Sequence, residues 1–283
     1  MKFWLSLMFE PYEQLLDHAR RAEELGFEGV EYDDVIRHDD AERTPHPTGY
    51  PLRADEPFPD PLVTFAAMAA VTTRLRFLTY VLVVPLRDPF LLAKQLATVA
   101  ALSGNRVVLG TGVGWLREEL ETVGRGWDDR GARMDEMLDV MVDFWSDGYA
   151  EHHGEHYDFD RSAMFPVPTA PIPIWIGGHS TPAARRAARF DGYMPMRPLD
   201  DRTRHEFALI DTLRAERGLT GPYERVVGWP GGDRSTVAEL SEGHGIGSVI
   251  VVGWPMYADL TLAEKHAAAE SFARTIIQAR SAR

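Results

Sequence analysis

The 283-residue sequence contains no cysteine. Disulfides, zinc–thiolate sites, iron–sulfur clusters and a cysteine nucleophile are therefore excluded. It also has no apolar run near the ~20 residues that span a bilayer. The apolar stretch at the N-terminus, which ends at Glu10-Pro11, is too short for a signal peptide core. These absences predict a cytoplasmic protein that has no membrane partner.

Positive charge is scarce as well. The chain has 30 Lys and Arg against 43 Asp and Glu, which gives a formal net charge of −13. No run of Lys or Arg forms a local patch, and an acidic surface repels phosphates, so we expect no nucleic-acid partner. With 45% hydrophobic and 26% charged residues, the chain is globular and long enough for one large α/β barrel or two small domains.

Short runs rich in β-branched and aromatic residues alternate with runs of helical periodicity. Eight strand–helix units at this length predict an α/β fold, a single-domain (β/α)8 TIM barrel over residues 1–283. A doubly wound open sheet is the alternative, which the unit count and the missing Gly-rich dinucleotide fingerprint disfavour. The strands are predicted at Phe3–Phe9, Gly29–Asp33, Arg76–Val84, Val107–Thr111, Pro173–Ile176, Gly192–Pro195, Arg225–Trp229 and Ser248–Val252.

Two stretches without periodicity predict long loops after strands two and four, at Ile36–Phe58 and Ser146–Pro171. Loops of this kind shape the pocket at the mouth of a barrel. The second loop contains Glu151-His152-His153-Gly154-Glu155-His156, which offers metal ligands. Because it lacks the helical HExxH spacing, we interpret it as a solvated loop and expect no metal.

Two glycine-rich strings fall at predicted strand ends, where TIM barrels carry their chemistry. Gly110-Thr111-Gly112-Val113-Gly114-Trp115 leaves bare backbone for a planar ring, or supplies packing glycines to the barrel. Gly177-Gly178-His179-Ser180-Thr181-Pro182 joins a strand to a helix start, which favours either a phosphate cradle or a plain tight turn.

A linked series of motifs over about residues 1–200 resembles the bacterial luciferase-like monooxygenase superfamily, and most closely its short coenzyme F420-dependent oxidoreductase branch. The series consists of Thr73-Arg74-Leu75-Arg76, Pro85-Leu86-Arg87-Asp88-Pro89, Leu92–Thr98, Leu102-Ser103, Arg106–Trp115, Glu118-Glu119, Arg130-Gly131, Arg133, Asp135-Glu136, Pro173–Gly178 and Asp191-Gly192-Tyr193.

The resemblance implies a homodimeric TIM barrel that acts on a small-molecule substrate. It also implies that a deazaflavin or flavin lies across the strand ends, with its phosphate at the strand-five glycines. A non-proline cis peptide often supports the ring in this family, and the matching bond here is Tyr80–Val81. The cofactor-binding residues implied are Tyr80, Val81, Gly112, Val113, Gly114, Trp115, Gly177, Gly178, His179, Ser180 and Thr181.

The sequence departs from the family pattern at two points. Deazaflavin enzymes of the family often carry Asp-His after strand two, where this chain has Asp34 and Val35. A sugar-phosphate dehydrogenase of the family uses a Glu after strand four, where this chain has Trp115. That activity is therefore not carried over. The catalytic candidates are Asp34, Tyr80 and His38.

The expected function is hydride transfer between coenzyme F420 and a small organic substrate, because the cofactor carries this chemistry with little acid–base work by the protein. One alternative is a monooxygenase that uses reduced FMN and oxygen. Another is a cofactor-binding protein without catalysis, which the departures at Val35 and Trp115 favour.

Overall fold

The computed structural model describes residues 1–36, 58–251 and 260–278. Within these ranges, strands β1 to β11 include one parallel barrel and one separate antiparallel pair, β6 and β7. The strands are β1 (Lys2–Ser6), β2 (Gly29–Tyr32), β3 (Arg76–Thr79), β4 (Leu82–Val83), β5 (Val107–Gly112), β6 (Tyr149–His153), β7 (Asp158–Ala163), β8 (Ile174–Gly177), β9 (Gly192–Met194), β10 (Glu224–Gly228) and β11 (Ser248–Val251).

The barrel closes because β1 pairs in parallel with both β2 and β11. From β2 the pairing continues through β3, β5, β8, β9 and β10 to β11, and every pair is parallel. β4 continues the course of β3 after a two-residue break and pairs with β5. The eight strand positions confirm the predicted TIM barrel.

Large apolar side chains fill the inside of the barrel. Trp4, Leu78, Val108, Trp175 and Ile250 belong to this interior cluster and are almost completely buried. The rings of Trp4 and Trp175 meet edge to face, with centroids 5.4 Å apart. A second and larger apolar cluster lies between the strands and the surrounding helices. The barrel is therefore a packed core whose free surface is at its ends.

Polar side chains line the N-terminal end of the barrel interior and are paired with one another. Lys2 Nζ donates to Glu224 Oε2 over 2.6 Å, and the Ser248 hydroxyl donates to Glu224 Oε1 over 2.6 Å. Trp4 Nε1 donates to the Ser248 hydroxyl over 3.2 Å. This network satisfies the charge of Glu224 and ties β1, β10 and β11 together.

Helices pack around the barrel, and side-chain caps start several of them. Asp60 accepts from the Leu62 and Val63 amides over 2.9 and 3.0 Å and so caps α2, the helix that begins at Pro61. None of the described helices is long and apolar enough to cross a membrane. The helices are α1 (Leu15–Leu25), α2 (Pro61–Ala69), α3 (Pro89–Ser103), α4 (Arg117–Thr122), α5 (Arg130–Asp147), α6 (Thr181–Ala187), α7 (Asp201–Glu216), α8 (Arg234–Ala238) and α9 (Leu262–Phe272).

The expectation of an irregular loop at Ser146–Pro171 is wrong, since this segment holds the β6–β7 hairpin. Phe159 of β7 anchors the hairpin, because its ring lies 4.9 Å from Phe90 and 5.9 Å from Phe144. Both strands are otherwise mostly exposed, so they lack the alternation of buried residues by which a strand is recognised. Of the other loop, Ile36–Phe58, residues 37–57 lie outside the described residues.

Two further differences lie near the mouth of the barrel. The third strand, expected to be continuous, is divided into β3 and β4, and the short helix α4 was not expected at all. Leu120 is the fully buried apolar residue of α4 and packs with Val83 and Leu86. Six residues with one such anchor are too short a window for helical periodicity to be visible.

Candidate active site

The C-terminal ends of neighbouring strands bring most of the sequence-predicted site residues to one mouth. β4 pairs with β5 at Val83 and Gly112, and β8 pairs with β9 at Gly177 and Met194. The cofactor-binding candidates from Tyr80 to Val81, 112 to 115 and 177 to 181 all follow or end these strands. The catalytic candidate His38 lies outside the described residues.

Two threonine side chains bond the backbone on either side of the break between β3 and β4. The Tyr80–Val81 peptide bond is cis, at the position that the family resemblance implied. Thr79 donates to the Gly110 carbonyl over 2.7 Å and accepts from the Gly110 amide over 2.9 Å. Thr111 donates to the Leu82 carbonyl over 2.8 Å. Side-chain bonds therefore satisfy the backbone on both sides of the break.

Val81 occupies the centre of the mouth because glycines stand on both sides of it. A Cβ atom on Gly177 would lie 2.6 Å from Val81 Cγ1, and one on Gly112 would lie 3.2 Å from Val81 Cγ2. One on Gly114 would lie 2.8 Å from Val83 Cγ1. The glycines thus make room for valine side chains, as the packing interpretation expected. The apolar surface at the mouth is the half-buried isopropyl group of Val81.

The loop after β8 is fixed by side chains from the next strand and helix. The Tyr193 hydroxyl lies 2.8 Å from the Gly178 carbonyl oxygen and 2.9 Å from Glu206 Oε2. The Ser180 hydroxyl accepts from the Ala183 amide over 3.3 Å and caps α6. Thr181 is exposed beside it.

The tautomer of the His179 ring can be assigned from its contact with Arg197. Arg197 Nη1 donates to His179 Nδ1 over 2.8 Å, and arginine cannot accept, so Nδ1 is the acceptor. Burial, together with the positive charge of Arg197, lowers the pKa of His179, so the ring is neutral at pH 7. The proton is therefore on Nε2, which is a hydrogen-bond donor at the exposed edge of the loop.

Asp34 is held tightly by its surroundings. Arg87 donates to both carboxylate oxygens, over 2.6 and 2.8 Å, and the Val83 amide donates over 3.0 Å. The Asp34 side chain is almost fully buried. Catalysis by Asp34 stays a prediction. Its contacts are those of a group that joins the loop after β2 to the start of β4.

The neighbouring carboxyl group, Asp33, is bonded by a backbone amide and not by an arginine. Asp33 Oδ1 accepts from the Asp34 amide over 2.7 Å. Burial raises the pKa of Asp33 to about 7, and the charges of Asp34 and Glu119 act in the same direction. Burial also raises the pKa of Tyr80, with a further contribution from nearby carboxyls including Asp33. The mouth therefore contains an acid that titrates near neutrality beside a phenol that stays protonated.

Glu31 was not among the sequence-predicted site residues. Its side chain is fully buried, and burial raises its pKa well above the usual value. A signal was present in the sequence, because Glu31 and Asp33 are alternate residues of a strand whose alternate side chains face inwards.

The histidines of the second loop lie away from the mouth on the β6–β7 hairpin and bind carboxylates. His152 Nε2 lies 3.0 Å from Glu136 Oε1, and His153 Nδ1 lies 2.6 Å from Asp158 Oδ1. The amide of His156 donates to Glu136 over 2.9 Å. In the part of the chain that the structure describes, no three metal-ligating side chains converge.

Several known proteins are similar to this chain in sequence. The family model described as luciferase-like monooxygenase matches residues 2–230. An uncharacterised protein of Mycobacterium tuberculosis is 39% identical over 238 residues, which are 82% of either chain. An F420-dependent glucose-6-phosphate dehydrogenase of Amycolatopsis mediterranei is 28% identical over 188 residues, covering 64% of this chain and 52% of the relative. An FMNH2-dependent dimethylsulfone monooxygenase of Pseudomonas fluorescens is 33% identical over 126 residues, covering 44% and 34%.

Solved structures agree on the fold. A monooxygenase from Streptomyces bottropensis superimposes with a TM-score of 0.82 at 18% identity, covering 99% of this chain and 100% of that one. The F420-dependent tetrahydromethanopterin reductase of Methanopyrus kandleri gives a TM-score of 0.70 at 14% identity, covering 98% of each chain. With the family model matching most of its length and a barrel of this form, the chain belongs to the luciferase-like monooxygenase family.

Proposed function

We propose that the chain is an oxidoreductase that binds the deazaflavin coenzyme F420 at this mouth and transfers a hydride to or from a small organic substrate. The observation that carries the proposal is the placement of an apolar side chain, Val81 between Gly112 and Gly177, beside a polar loop at 178–181. A planar ring and a phosphate require these two surfaces next to each other.

The residues present fit a ring of this type. Tyr80, Val81 and the 112–115 backbone would hold the ring, because they supply apolar contact without a fixed charge. The loop at 177–181 would hold the phosphate, since the His179 Nε2–H group and the Ser180 and Thr181 hydroxyls all donate. The neighbouring Arg197 lies on the same side, where its charge is shared with Glu206 and Asp200.

When bound, the deazaflavin supplies or accepts the hydride at its C5 carbon. The chain positions the reactants around that atom. Asp34 and Arg87 fix β4 and so hold Val81 in place under the ring site. Tyr80, whose burial raises its pKa, remains a hydrogen-bond donor at neutral pH. His38 remains the third catalytic candidate.

A monooxygenase that uses reduced FMN is the second candidate. The 33% identity to the dimethylsulfone monooxygenase favours it. The F420-dependent dehydrogenase aligns over more of this chain, 64% against 44%, and this favours the deazaflavin. A reduced flavin reacts with oxygen and a reduced deazaflavin does not, so oxygen consumption distinguishes the two.

Equilibrium titration of the purified chain with F420 and with FMN, followed by fluorescence, tests the proposal. We expect micromolar or tighter binding of F420, weaker binding of FMN, and turnover of the bound deazaflavin with a panel of alcohols and carbonyl compounds. Preference for FMN with oxygen consumption would replace the proposal by the monooxygenase. Tight binding without turnover would favour a binding protein, and binding of neither would contradict the cofactor site.

The homodimer that the family resemblance implied is part of the proposal. The helices α2 and α3 carry exposed apolar side chains, among them Val63 and Leu91, which are 71% and 65% exposed. Apolar groups of this kind are covered in a dimer interface. Sedimentation equilibrium would measure the mass in solution, and a monomer at micromolar concentration would contradict the dimer.

A further inference from the structure

Two methionines add to the apolar surface that Val81 provides at the mouth. Met8 follows β1 and Met196 follows β9, and both are half-buried side chains that pack, as Val81 does, against the fully buried cluster inside the barrel. In the sheet, β9 is three strands from β1 on one side, and β3 is two strands from β1 on the other. The three side chains therefore reach the mouth from three sides of the barrel.

The backbone beside Met8 is strained. The Glu10 amide donates to the Leu7 carbonyl over 3.1 Å, which closes a turn whose central residues are Met8 and Phe9. Phe9 has a φ of +63°, in the left-handed region where a turn favours glycine. Residues stay in that region only where their surroundings fix them, and they are concentrated at binding and active sites.

A buried ion pair with an outer helix fixes this turn. Lys265 Nζ of α9 donates to Glu10 Oε2, and both side chains are almost fully buried. His18 of α1 lies beside the pair, with its Nε2 atom 3.3 Å from Glu10 Oε2. The Phe9 ring packs against Phe58, with centroids 5.8 Å apart. Because breaking a buried ion pair is strongly destabilising, the turn holds Met8 in one position.

Met196 repeats this arrangement on the β9 side. Its own φ is +52°, again in the left-handed region. The next residue, Arg197, donates to Glu206 and, over 2.9 Å, to the Thr203 hydroxyl, and both partners belong to α7. The Arg197 carbonyl accepts from the Gly228 amide over 2.9 Å. Each methionine is therefore held by a left-handed residue and by a charged side chain that an outer helix binds.

Packing of the barrel does not require this strain. Met194, two residues before Met196, lies in regular β9 and is completely buried. Met8 and Met196 instead keep part of their side chains uncovered at the mouth. Apolar atoms in contact with water cost free energy, which a ligand that covers them recovers. The thioether side chain is flexible and bonds hydrogen only weakly, so it suits an apolar ligand.

We propose that Met8 and Met196 contact the substrate and select an organic compound that presents a hydrocarbon or aromatic group to them. Glu10 and Lys265 are then positioning residues that act through Met8. A sugar or a polyol would lose the water on its hydroxyl groups without gaining hydrogen bonds from the methionines, so it is disfavoured. The inference rests on the proposed function, because the substrate must reach a cofactor at Val81, and deepens it by naming the substrate class.

Methyl 13C NMR of the cofactor-free chain, labelled at its ten methionines, tests the contact. Met8→Leu, Met196→Leu and Met137→Leu assign three resonances. Cyclohexanol and benzyl alcohol are the apolar probes, and sorbitol is the polar probe. We expect the Met8 and Met196 resonances to shift saturably with the apolar probes and not with sorbitol. Met137, fully buried between the strands and the helices, is the internal control and should not shift.

Kinetics with F420 give a second readout. Met8→Ser and Met196→Ser remove apolar contact, so the KM of apolar members of the substrate panel should rise about tenfold, while the Kd of F420 stays the same. Met8→Leu keeps the apolar volume and should restore the KM. Methionines that only stabilise the fold would leave the KM unchanged in all three variants.

Two further variants test the positioning role of the ion pair. Lys265→Met removes the pair, and Glu10→Gln keeps an oxygen for Lys265 but removes the charge. Both should move the Met8 methyl resonance and leave that of Met196 in place, and Lys265→Arg should restore it. Arg20→Met, which breaks an exposed pair with Asp17, is the matched control and should move neither. An ion pair that only stabilises the fold would leave the Met8 resonance where it is.

The outcomes separate this inference from the proposed function. No shift of Met8 and Met196 with the apolar probes, equal shifts with sorbitol, or an equal shift of Met137 overturns the inference even if F420 binds. The expected shifts in a chain that binds no F420 would support the apolar contact and refute the proposed function alone.

Discussion

Each end of the barrel interior contains a glutamate, and the two glutamates differ in their hydrogen bonding. Glu224, at the N-terminal end, accepts from Lys2 and from Ser248, each over 2.6 Å. Glu31, towards the C-terminal end, is more deeply buried and has no hydrogen-bond partner among the described residues. Both residues lie on inward faces of barrel strands, so the fold alone does not explain the difference.

The difference follows the division of labour in TIM barrels, in which the N-terminal end provides stability and the C-terminal end carries chemistry. A paired carboxylate at the first end stabilises the fold at neutral pH. An unpaired carboxyl at the second end destabilises the fold at neutral pH but holds a proton at the end of the barrel that we propose binds the cofactor. Stability and function are thus separated along one barrel axis.

Asp34 tests whether an ion pair also stabilises the fold at the mouth, because this buried carboxylate is paired with Arg87. Arg87→Ala leaves the buried Asp34 charge without its partner, so we expect a loss of about 3–5 kcal/mol in the free energy of unfolding. Chemical denaturation measures it. Arg189→Ala, which breaks an exposed pair with Asp139, is the control and should cost less than about 1 kcal/mol. Equal losses would contradict the positioning role of Asp34.

Asp33→Asn should change stability in a pH-dependent manner. The folded-state pKa of about 7 lies above the unfolded value of 3.8, so the folded chain keeps a proton that the unfolded chain releases. The free energy of unfolding of the unmodified chain therefore falls as pH rises from about 4 to 7. Asparagine does not titrate. We expect the variant to be more stable than the unmodified chain at pH 8, by about 2–4 kcal/mol at ~1.4 kcal/mol per pKa unit.

Denaturation at about pH 3 supplies the control for this prediction, because both folded and unfolded Asp33 are then largely protonated. The two chains should differ much less there. A variant that is less stable than the unmodified chain at pH 8 would mean that the hydrogen bonds of the ionised Asp33 carboxylate outweigh the cost of burying its charge.

The smallest expected effect is on F420 affinity, from a substitution in the proposed phosphate loop on the opposite side of the mouth. His179→Ala removes one neutral N–H donor from the proposed phosphate loop, so F420 affinity should fall about tenfold, or ~1.4 kcal/mol. His205→Ala, on the exposed face of α7, is the matched control and should bind as the unmodified chain does. Because neutral His179 already carries its Nε2 proton, the affinity should be constant between pH 7 and 8. Equal affinity of both variants would remove His179 from the cofactor site.

Much of the fold was predictable because it depends on local signals. Asp60 followed by Pro61 marks a helix start, and the structure has the cap there. The hairpin at 149–163 was missed because the ring of Phe159, which anchors it, packs on Phe90 and Phe144 of distant helices. A contact of that range leaves no periodic trace in the segment itself.

In the candidate site too, the features that depend on local sequence could be predicted, and those that depend on long-range contacts could not. The cis bond and the glycine loops could be located from motifs, since each motif is a short run of sequence. The ion pair between Asp34 and Arg87 could not be predicted in this way, because the two residues are 53 positions apart in the sequence. Glu31 could have been found from the alternation of side chains along the strand that leads to Asp33. Its lack of a hydrogen-bond partner depends on the neighbouring strands β1 and β3, which the local sequence does not specify.

Equilibrium unfolding at pH 8 of Glu31→Gln and Glu224→Gln, the same substitution at the two ends of the barrel, is the most direct test of the contrast. Glu224→Gln loses its charge-assisted bonds and should lower the free energy of unfolding by about 1–2 kcal/mol. Glu31→Gln removes a group that must hold a proton when folded and should raise it. Two losses of similar size would show that Glu31 is a paired carboxylate and would contradict the account.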